Sequence, residues 1–576
     1  MHLTCNQKDA VEASGHTLVS ACPGSGKTSV LSLRAAHILN QSDSTKVVAV
    51  TFTKDSAESL RHRIENVSSK TRRRLITGTF HAIALKQIRN TPIFKNKRII
   101  GGGEFYALVN RARQVAEDGE EISLDDAVEA IELFKSSISP TIRSDPAGQV
   151  YRIYQSILDR ENMIDFADML LLAVINMKNG QINPLPATHM LVDEAQDMDS
   201  VQYEWIKCHS DHGVIITLVG DDDQSIYGWR NAMGYDGLMR FKTDHRAEHI
   251  TLADNFRSDQ EIVAHADKLI QINTKRVQKD FICFSKDTGV VELTTHPDEL
   301  DQGKVAARIA SDGQEWGILA RTNKILDVVE LGLIAEKTPY TRAGGSSLWN
   351  REVIAVYLAL LSSISSSSPN GVGTALHFAG VPDYMMGSLK SKSDITEALN
   401  AIFDQVKKDG SLPLVASFLQ RFLLMLPQWQ SLLKQKRVGL VCGGVSTWLS
   451  DFLKTPQVQV LDRASSILAD LKGTLPERLN FVKGEGKKKK QSTPENAKVT
   501  LLTMHASKGL EFDCVAVLSC VEGIAPHLDS PLDEERRLFY VAMTRARHRL
   551  VLMKYMERLD GKIEADASRF LQEAGV

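Results

Sequence analysis

The chain has 576 residues, 43% hydrophobic and 24% charged, with a formal net charge of −2. That length exceeds one hydrophobic core and calls for roughly three to five domains. The charge balance excludes a uniformly basic protein, so any nucleic-acid surface is a local patch. Seven cysteines without a C-x-x-C pair argue against a zinc or disulfide framework and fit a reducing compartment. The N-terminus shows no basic-then-apolar leader, and no apolar run is long enough to span a bilayer. The expectation is a soluble, cytoplasmic protein with no membrane partner.

The first chemical signal comes early. Thr17-Leu18-Val19-Ser20 reads as a short strand, Ala21-Cys22-Pro23-Gly24-Ser25-Gly26-Lys27-Thr28 as a glycine-rich turn, and Val30, Leu31, Leu33 and Ala36 as the apolar side of a helix. Strand, glycine-rich turn and Lys-Thr at a helix start make a phosphate-binding loop. Gly24, Ser25 and Gly26 let backbone N–H groups converge on phosphate oxygens, and the helix N-terminus adds positive partial charge. Lys27 is expected to reach the β- and γ-phosphates, and the Thr28 hydroxyl to ligate Mg²⁺. Ala21 replaces the glycine that usually opens this pattern. Just upstream, the Gln7 amide can both donate to and accept from an adenine edge.

The near-continuous apolar run Val47-Val48-Ala49-Val50 predicts a strand buried on both faces of a parallel sheet. It leads into Thr51-Phe52-Thr53-Lys54, at the strand end where ligands bind on open α/β sheets. Lys70-Thr71-Arg72-Arg73-Arg74 reads as a solvated basic face or as phosphate contacts beside Phe80 and His81. From Lys86 to Pro186 helical periodicity takes over, as at Ala127, Val128, Ile131 and Phe134, and predicts an all-helical insertion. Alternation resumes at Met190-Leu191-Val192-Asp193-Glu194, which sets two carboxylates at the sheet edge of the phosphate loop. Asp193 is expected to hold Mg²⁺, and Glu194 to orient and deprotonate the attacking water. Another strand, Ile215–Val219, leads into Asp221-Asp222-Asp223-Gln224 and then Tyr227-Gly228-Trp229-Arg230. Gln224 sits where a γ-phosphate can be sensed. Tyr227, Trp229 and Arg230 set aromatic platforms beside a cation, a combination suited to single-stranded nucleic acid.

Val219–Ala232 resembles motif III of the UvrD/Rep/PcrA group of superfamily 1 helicases, and the resemblance extends to both ends of the chain. Gln7 is similar to the adenine-reading Q motif. Ala21–Thr28 resembles motif I, in which alanine often stands first, Thr51–Ile64 motif Ia, Gly78–His81 motif Ib and Leu191–Asp199 motif II. Leu252–Ser258 is similar to motif IV, with Phe256 where the family usually has tyrosine; an aromatic ring is kept, so adenine stacking is expected to survive. Trp316–Arg321 resembles motif IVa, Val499–Phe512 motif V and Asp533–Arg547 motif VI. The resemblance implies Arg545 as an arginine finger, Arg257 as a nucleotide-binding and catalytic group at the border between the motor units, and Glu511 near the ribose. It also implies a single-stranded DNA path lined by Phe52, Thr53, His81, Tyr227, Trp229, Arg230 and His505, with movement 3′ to 5′.

The expected fold is α/β, with two RecA-like parallel-sheet motor domains, each interrupted by a mainly helical insertion. Residues 1–85 and 187–280 would form the first motor domain and 86–186 its insertion; 281–361 and 498–576 the second, and 362–497 its insertion. Ser362–Gly371 reads as a linker and Lys487–Lys490 as a solvated basic loop. The implied function is ATP-dependent, Mg²⁺-requiring 3′–5′ translocation on single-stranded DNA with unwinding of tailed or forked duplexes, in repair or replication. The alternative is a DNA-stimulated ATPase subunit working with a nuclease partner, as in Gabija-type antiphage systems. A start almost at the Q motif, an end soon after the last strand and a short insertion after Leu361 favour that alternative.

Overall fold

The computed structural model describes residues 3–576 apart from 72, 90, 93, 143, 345–347, 379–380, 382–385, 388, 390–391, 393, 411–412, 454, 489–496 and 558–563. The chain divides into two compact units. One comprises Met1–Gln302, Glu315–Arg321 and Met504–Val576, the other Gly303–Gln314 and Thr322–Thr503. In chain order the strands are β1 (Thr17–Ala21), β2 (Val47–Thr51), β3 (Leu75–Thr79), β4 (Arg98–Ile99), β5 (Met163–Ile164), β6 (His189–Val192), β7 (Ile215–Gly220) and β8 (Glu248–Leu252). They continue with β9 (Asp254–Asn255), β10 (Ile282–Cys283), β11 (Val290–Asp298), β12 (Trp316–Ala320), β13 (Tyr340–Ala343), β14 (Val499–Thr503), β15 (Phe512–Val517) and β16 (Ala546–Glu557).

In the first unit, β3-β2-β6-β7-β1-β8 make a parallel six-stranded sheet. Alternate side chains of a strand point to opposite faces, so apolar runs without a polar alternation must be covered on both. Val48, Val50, Met190, Val192 and Leu218 enter one core cluster; Val19, Val47, Ala49, Leu191 and Val219 enter another. Because the strands are parallel, their carboxyl ends share one edge. There β1 runs into the phosphate loop, β6 into Asp193 and β7 into Asp221. In the same unit β11-β16-β15-β12 also run parallel.

Between β3 and β6 lies the insertion. Helices Gly103–Val115, Leu124–Lys135 and Pro146–Arg160 bury Val109, Ile131, Tyr154 and Leu158 in a core of their own. It is not wholly helical: β4 and β5 form a two-stranded parallel ladder, too short to leave a periodic signal. The Lys135 ammonium donates to Asp165 Oδ2 and Asp168 Oδ1, each at 2.7 Å, and the Tyr154 hydroxyl donates to Asp165 at 2.8 Å. Asp165 also caps the helix Phe166–Lys178 through a capping box with Asp168.

In the second unit β13 pairs in parallel with β14. A helical region follows β13, with Tyr357, Phe418, Phe422, Trp429 and Trp448 in its core. The expected linker is half helix. Helix Glu352–Ser366 runs through its first residues and ends where Ser367 turns left-handed (φ 53°). Buried Leu360, Leu361 and Ile364 outweigh the poor helix propensity of the serines. Of the basic run, Lys487 and Lys488 fall in helix Leu475–Lys488, not in a loop; Lys489 and Lys490 lie outside the described residues. Among the described residues, no helix is long and apolar enough to cross a membrane.

The buried ion triad yields a stability prediction. Removing one partner of a buried pair typically costs about 3–5 kcal/mol. Lys135→Met should therefore bring unfolding of the insertion to clearly lower urea, followed by the fluorescence of its tyrosines; an unshifted transition would refute the role assigned to the triad.

Candidate nucleotide and nucleic-acid sites

Ala21 is the last residue of β1, buried and in register with Leu252 of β8, so its methyl group packs in the sheet and not in the loop. The loop proper turns at Gly24 (φ 71°) and Gly26 (φ 77°), left-handed positions that glycine takes without penalty. Helix α2 (Lys27–Gln41) then starts with Gly26 at its N-cap and no side-chain capping bond. Its first N–H groups have no intrahelical acceptor, which is the arrangement that receives phosphate oxygens. Ser25 braces the loop by donating to Cys22 O at 2.8 Å. The buried Gln7, on helix α1 (Cys5–Glu12), accepts from Thr4 N and donates through Nε2 to Ser25 O at 3.0 Å. Its amide is thus tied to the phosphate loop itself.

At the end of β6, Asp193 is buried and accepts the Glu194 N–H at 3.0 Å. Burial, reinforced by the Glu194 charge, raises its pKa. A buried carboxylate that needs positive charge suits a divalent cation, and the Thr28 hydroxyl on α2 is the second expected ligand. Glu194 sits in the left-handed region (φ 53°), costly for a side-chain-bearing residue and typical of functional sites. Burial opposes its ionisation, but Lys27, Lys508 and the Gln196 amide outweigh it, and its pKa lies below the ordinary range. Gln196 Nε2 donates to Glu194 Oε2 at 2.6 Å. The two adjacent carboxylates are therefore pushed in opposite directions.

Gln224 is held at both ends of its amide. Nε2 donates to Asp221 Oδ2 at 2.6 Å, and Oε1 accepts from Arg545 Nη2 at 3.1 Å. Lys27 Nζ lies 3.8 Å from the same Asp221 oxygen. Arg545, on the turn after helix Leu532–Met543, is fully buried and also donates to Val541 O, Leu510 O and Thr544 Oγ1. Burial, then the Arg257 charge, pulls its pKa down to about 9, so it remains charged at neutral pH. Arg257 donates through Nε to Glu511 Oε2 at 2.7 Å and through Nη1 to Thr544 O at 3.2 Å. Glu511 is shared with Arg547, at 2.7 Å. Phe256 is 46% exposed, and its N–H donates to Gly24 O at 3.0 Å, which sets its backbone against the phosphate loop.

The expected nucleic-acid residues separate into two groups. Trp229 is 50% exposed, with the Arg230 guanidinium 4.4 Å from its ring centroid. His81 stacks on Phe166 with centroids 4.2 Å apart. These four residues, with Phe105 and Lys135, border a cavity of about 370 Å³. Tyr227 and His505 face each other at 6.5 Å. Burial lowers the pKa of His81 and of His505 to about 4, so both present neutral rings at physiological pH. Phe52, by contrast, packs edge-on against core Phe80 at 5.6 Å, and Thr53 caps helix Lys54–Val67. Both have structural duties. The basic cluster after residue 69 is largely spent on structure: Arg74 donates to Lys70 O and Ser42 O, and Lys70 faces Asp43. Arg72 lies outside the described residues.

Three participants escape motif reading. Lys508 Nζ donates to both Asp197 oxygens, at 2.7 and 2.6 Å, and to Gln224 O at 2.8 Å. Its signal was its place inside the block Val499–Phe512. Lys279 and Arg276 neutralise Asp221–Asp223; the only sequence hint of them is that three adjacent acids at a buried strand end require cations.

Comparison with known proteins agrees with this geometry. The family model for the UvrD/REP helicase N-terminal domain matches residues 3–246, and that for the UvrD-like helicase C-terminal domain matches 392–557. The chain is 28% identical to DNA helicase II of Haemophilus influenzae, over 99% of this chain and 86% of that protein. It is 26% identical to the ATP-dependent DNA helicase Rep of Escherichia coli (100% and 94% covered), and 26% to the ATP-dependent DNA helicase PcrA of Staphylococcus epidermidis (99% and 86%). With parallel α/β sheets, a glycine-rich loop and paired carboxylates at one sheet edge, and with both family models matched, this chain belongs to the UvrD/Rep family of superfamily 1 helicases, which are built on two RecA-like motor domains.

Proposed function

We propose that the chain couples ATP hydrolysis to 3′–5′ movement on single-stranded DNA and to the unwinding of tailed or forked duplexes, in the cytoplasm, in repair or replication. The domain division expected from the sequence is part of this reading. The observation that carries it is the segment Asp221–Arg230. Its first half holds Gln224 between Asp221 and Arg545; its second half presents Trp229 and Arg230 to solvent. A nucleotide-facing amide and a base-stacking platform are thus separated by a few residues of one rigidly anchored loop. Direction of movement and cellular role rest on family resemblance alone.

In this reading the α2 amides and Lys27 bind the phosphates, and Thr28 and Asp193 hold Mg²⁺. Bound Mg²⁺ supplies charge screening on the phosphates. Glu194, ionised and steadied by Gln196, takes the proton of the attacking water. Arg545 stabilises charge on the transferred phosphoryl group, and Gln224 stands next to it to register that group. Phe256 stacks on the base, with Gln7 behind the loop and Glu511 beside the ribose. Stacking on Trp229 and Tyr227 without base-edge contacts gives little sequence preference. Phe52, Thr53, His81, Arg230 and His505 complete the proposed DNA path.

ATPase activity with and without single-stranded DNA, with an RNA control, tested beside tailed-duplex unwinding, decides the function. DNA-stimulated turnover with unwinding is expected. Turnover without unwinding by the isolated chain would favour the nuclease-partnered ATPase. Lys27→Ala should abolish hydrolysis while leaving most DNA binding, and retained turnover would refute the phosphate-loop assignment. Arg545→Lys, which keeps the buried charge, should lower turnover by about 10³-fold or more with nucleotide binding largely intact; a parallel loss of binding would argue against a finger. Trp229→Ala should weaken single-stranded DNA binding about 10- to 100-fold and DNA-stimulated turnover with it, at constant basal ATPase. Equal loss of basal activity would mark Trp229 as structural.

A further inference from the structure

Beside the phosphate loop stands a second aromatic ring that the motifs do not account for. β9 and β10 form a two-stranded parallel ladder, with Ile282 opposite Asp254 and Cys283 opposite Asn255. One step further in the same register, Phe284 comes beside Phe256, and its N–H donates to Asn255 O at 2.9 Å. The two rings lie 4.5 Å apart between centroids with their planes 37° apart. Phe284 is 51% exposed and Phe256 46%, and Ile282 on the same side of β10 is exposed as well. The patch is anchored to the nucleotide loop from two directions. Phe256 N donates to Gly24 O, and Asn255 Nδ2 donates to Pro23 O at 2.8 Å. A Cβ at Gly24 would meet Arg257 Cβ at 2.6 Å, so loop and ladder are in close contact.

Two half-exposed phenylalanines packed against each other at a tilt leave apolar surface in water that burial in a core would have removed. That surface suits a ligand with a flat apolar face. Phe256 also has no hydroxyl with which to fix its ring by a hydrogen bond, so the ring's orientation has to come from packing. Phe284 supplies that packing. We propose that Phe284 is a positioning residue for nucleotide binding: it covers one face of Phe256 and sets that ring so that its other face receives the nucleotide base. The inference rests on the base-stacking role of Phe256 proposed above. The consequence is selective: Phe284 acts on the base and not on the phosphates, which are held by α2 and Lys27.

The test is steady-state ATPase of the full chain at saturating single-stranded DNA for Phe256→Ala, Phe284→Ala and Phe284→Tyr, with inhibition by inorganic tripolyphosphate as a base-free probe of the phosphate site. Phe284→Ala should raise the KM for ATP about three- to tenfold, with kcat within twofold and tripolyphosphate inhibition unchanged. Phe284→Tyr, which restores the ring, should return KM to near the wild-type value. A wild-type KM in Phe284→Ala with a raised KM in Phe256→Ala would overturn the inference and leave base stacking standing. An unchanged KM in Phe256→Ala would remove the base-stacking reading itself, and the inference with it. If tripolyphosphate inhibition weakens in step with KM, Phe284 merely supports the loop, and the proposal is wrong.

Discussion

Three carboxylates in a row, Asp221, Asp222 and Asp223, converge on one buried ammonium. Lys279 Nζ lies 2.8, 2.7 and 2.9 Å from them, and none of the four side chains is more than 1% exposed. Taking an ion out of water costs several kcal/mol even after relaxation, and adjacent like charges add to that. The segment can be buried only because Lys279 and Arg276 come to it, the latter clasping Asp223 with two bonds of 2.8 Å. Asp221 shows the outcome. Burial opposes its ionisation, yet Lys279 and Lys27 prevail, and its pKa falls below the ordinary carboxylate range. It remains an anion and can therefore hold Gln224 by a short bond and stand 3.8 Å from Lys27.

This cluster fixes the groups of the candidate nucleotide site around it. Lys27 already has a partial counter-charge in Asp221, which makes its ammonium tolerable at the sheet edge. Gln224 likewise has both ends of its amide engaged. Arg545 owes its burial to three oxygen acceptors, Val541 O in the preceding helix, Thr544 Oγ1 just after it and Leu510 O ahead of β15, as well as to Gln224. Organisation of this kind is what electrostatic catalysis requires, because donors fixed in advance need not be reoriented as charge develops. The same organisation explains the left-handed backbone at Glu194. The Gln196 side chain holds the carboxylate at one end and accepts the Asp221 N–H at the other, so strain at one residue is offset by bonds from the next strand end.

What could be read from the sequence follows from how local each interaction is. The phosphate loop, Asp193-Glu194 and Gln224 each follow a strand whose apolar run is unmistakable, and parallel strands put all their carboxyl ends on one edge. Chain order alone could not reveal the strand order, because β1 lies between β7 and β8 by long crossover connections. Nor could it reveal Lys279 and Arg276, whose acidic partners are 58 and 53 residues away. The serine-rich segment misleads for the opposite reason: its composition says linker, but Leu360, Leu361 and Ile364 face a core and keep it helical. Phe52 illustrates a third case. Its position at a strand end is functional territory, yet the ring is partly claimed by Phe80, a contact no spacing rule reports.

Lys508 joins the two halves of the site. Its ammonium binds Asp197, just beyond Asp193 and Glu194, and the main-chain oxygen of Gln224, while lying 5.1 Å from the centre of the Tyr227 ring. One cation therefore bridges the segment that follows Glu194, the main chain of Gln224 and the Tyr227 ring. Coupling between two ligands is a difference in free energy that both must act upon. A contact shared by both sites is where such a difference can reside without a long relay. His505, three residues before Lys508, faces Tyr227 from the same 3₁₀ turn and is held neutral by burial. The imidazole beside Tyr227 is thus uncharged, while the Lys508 ammonium over that ring is held by Asp197 and Gln224.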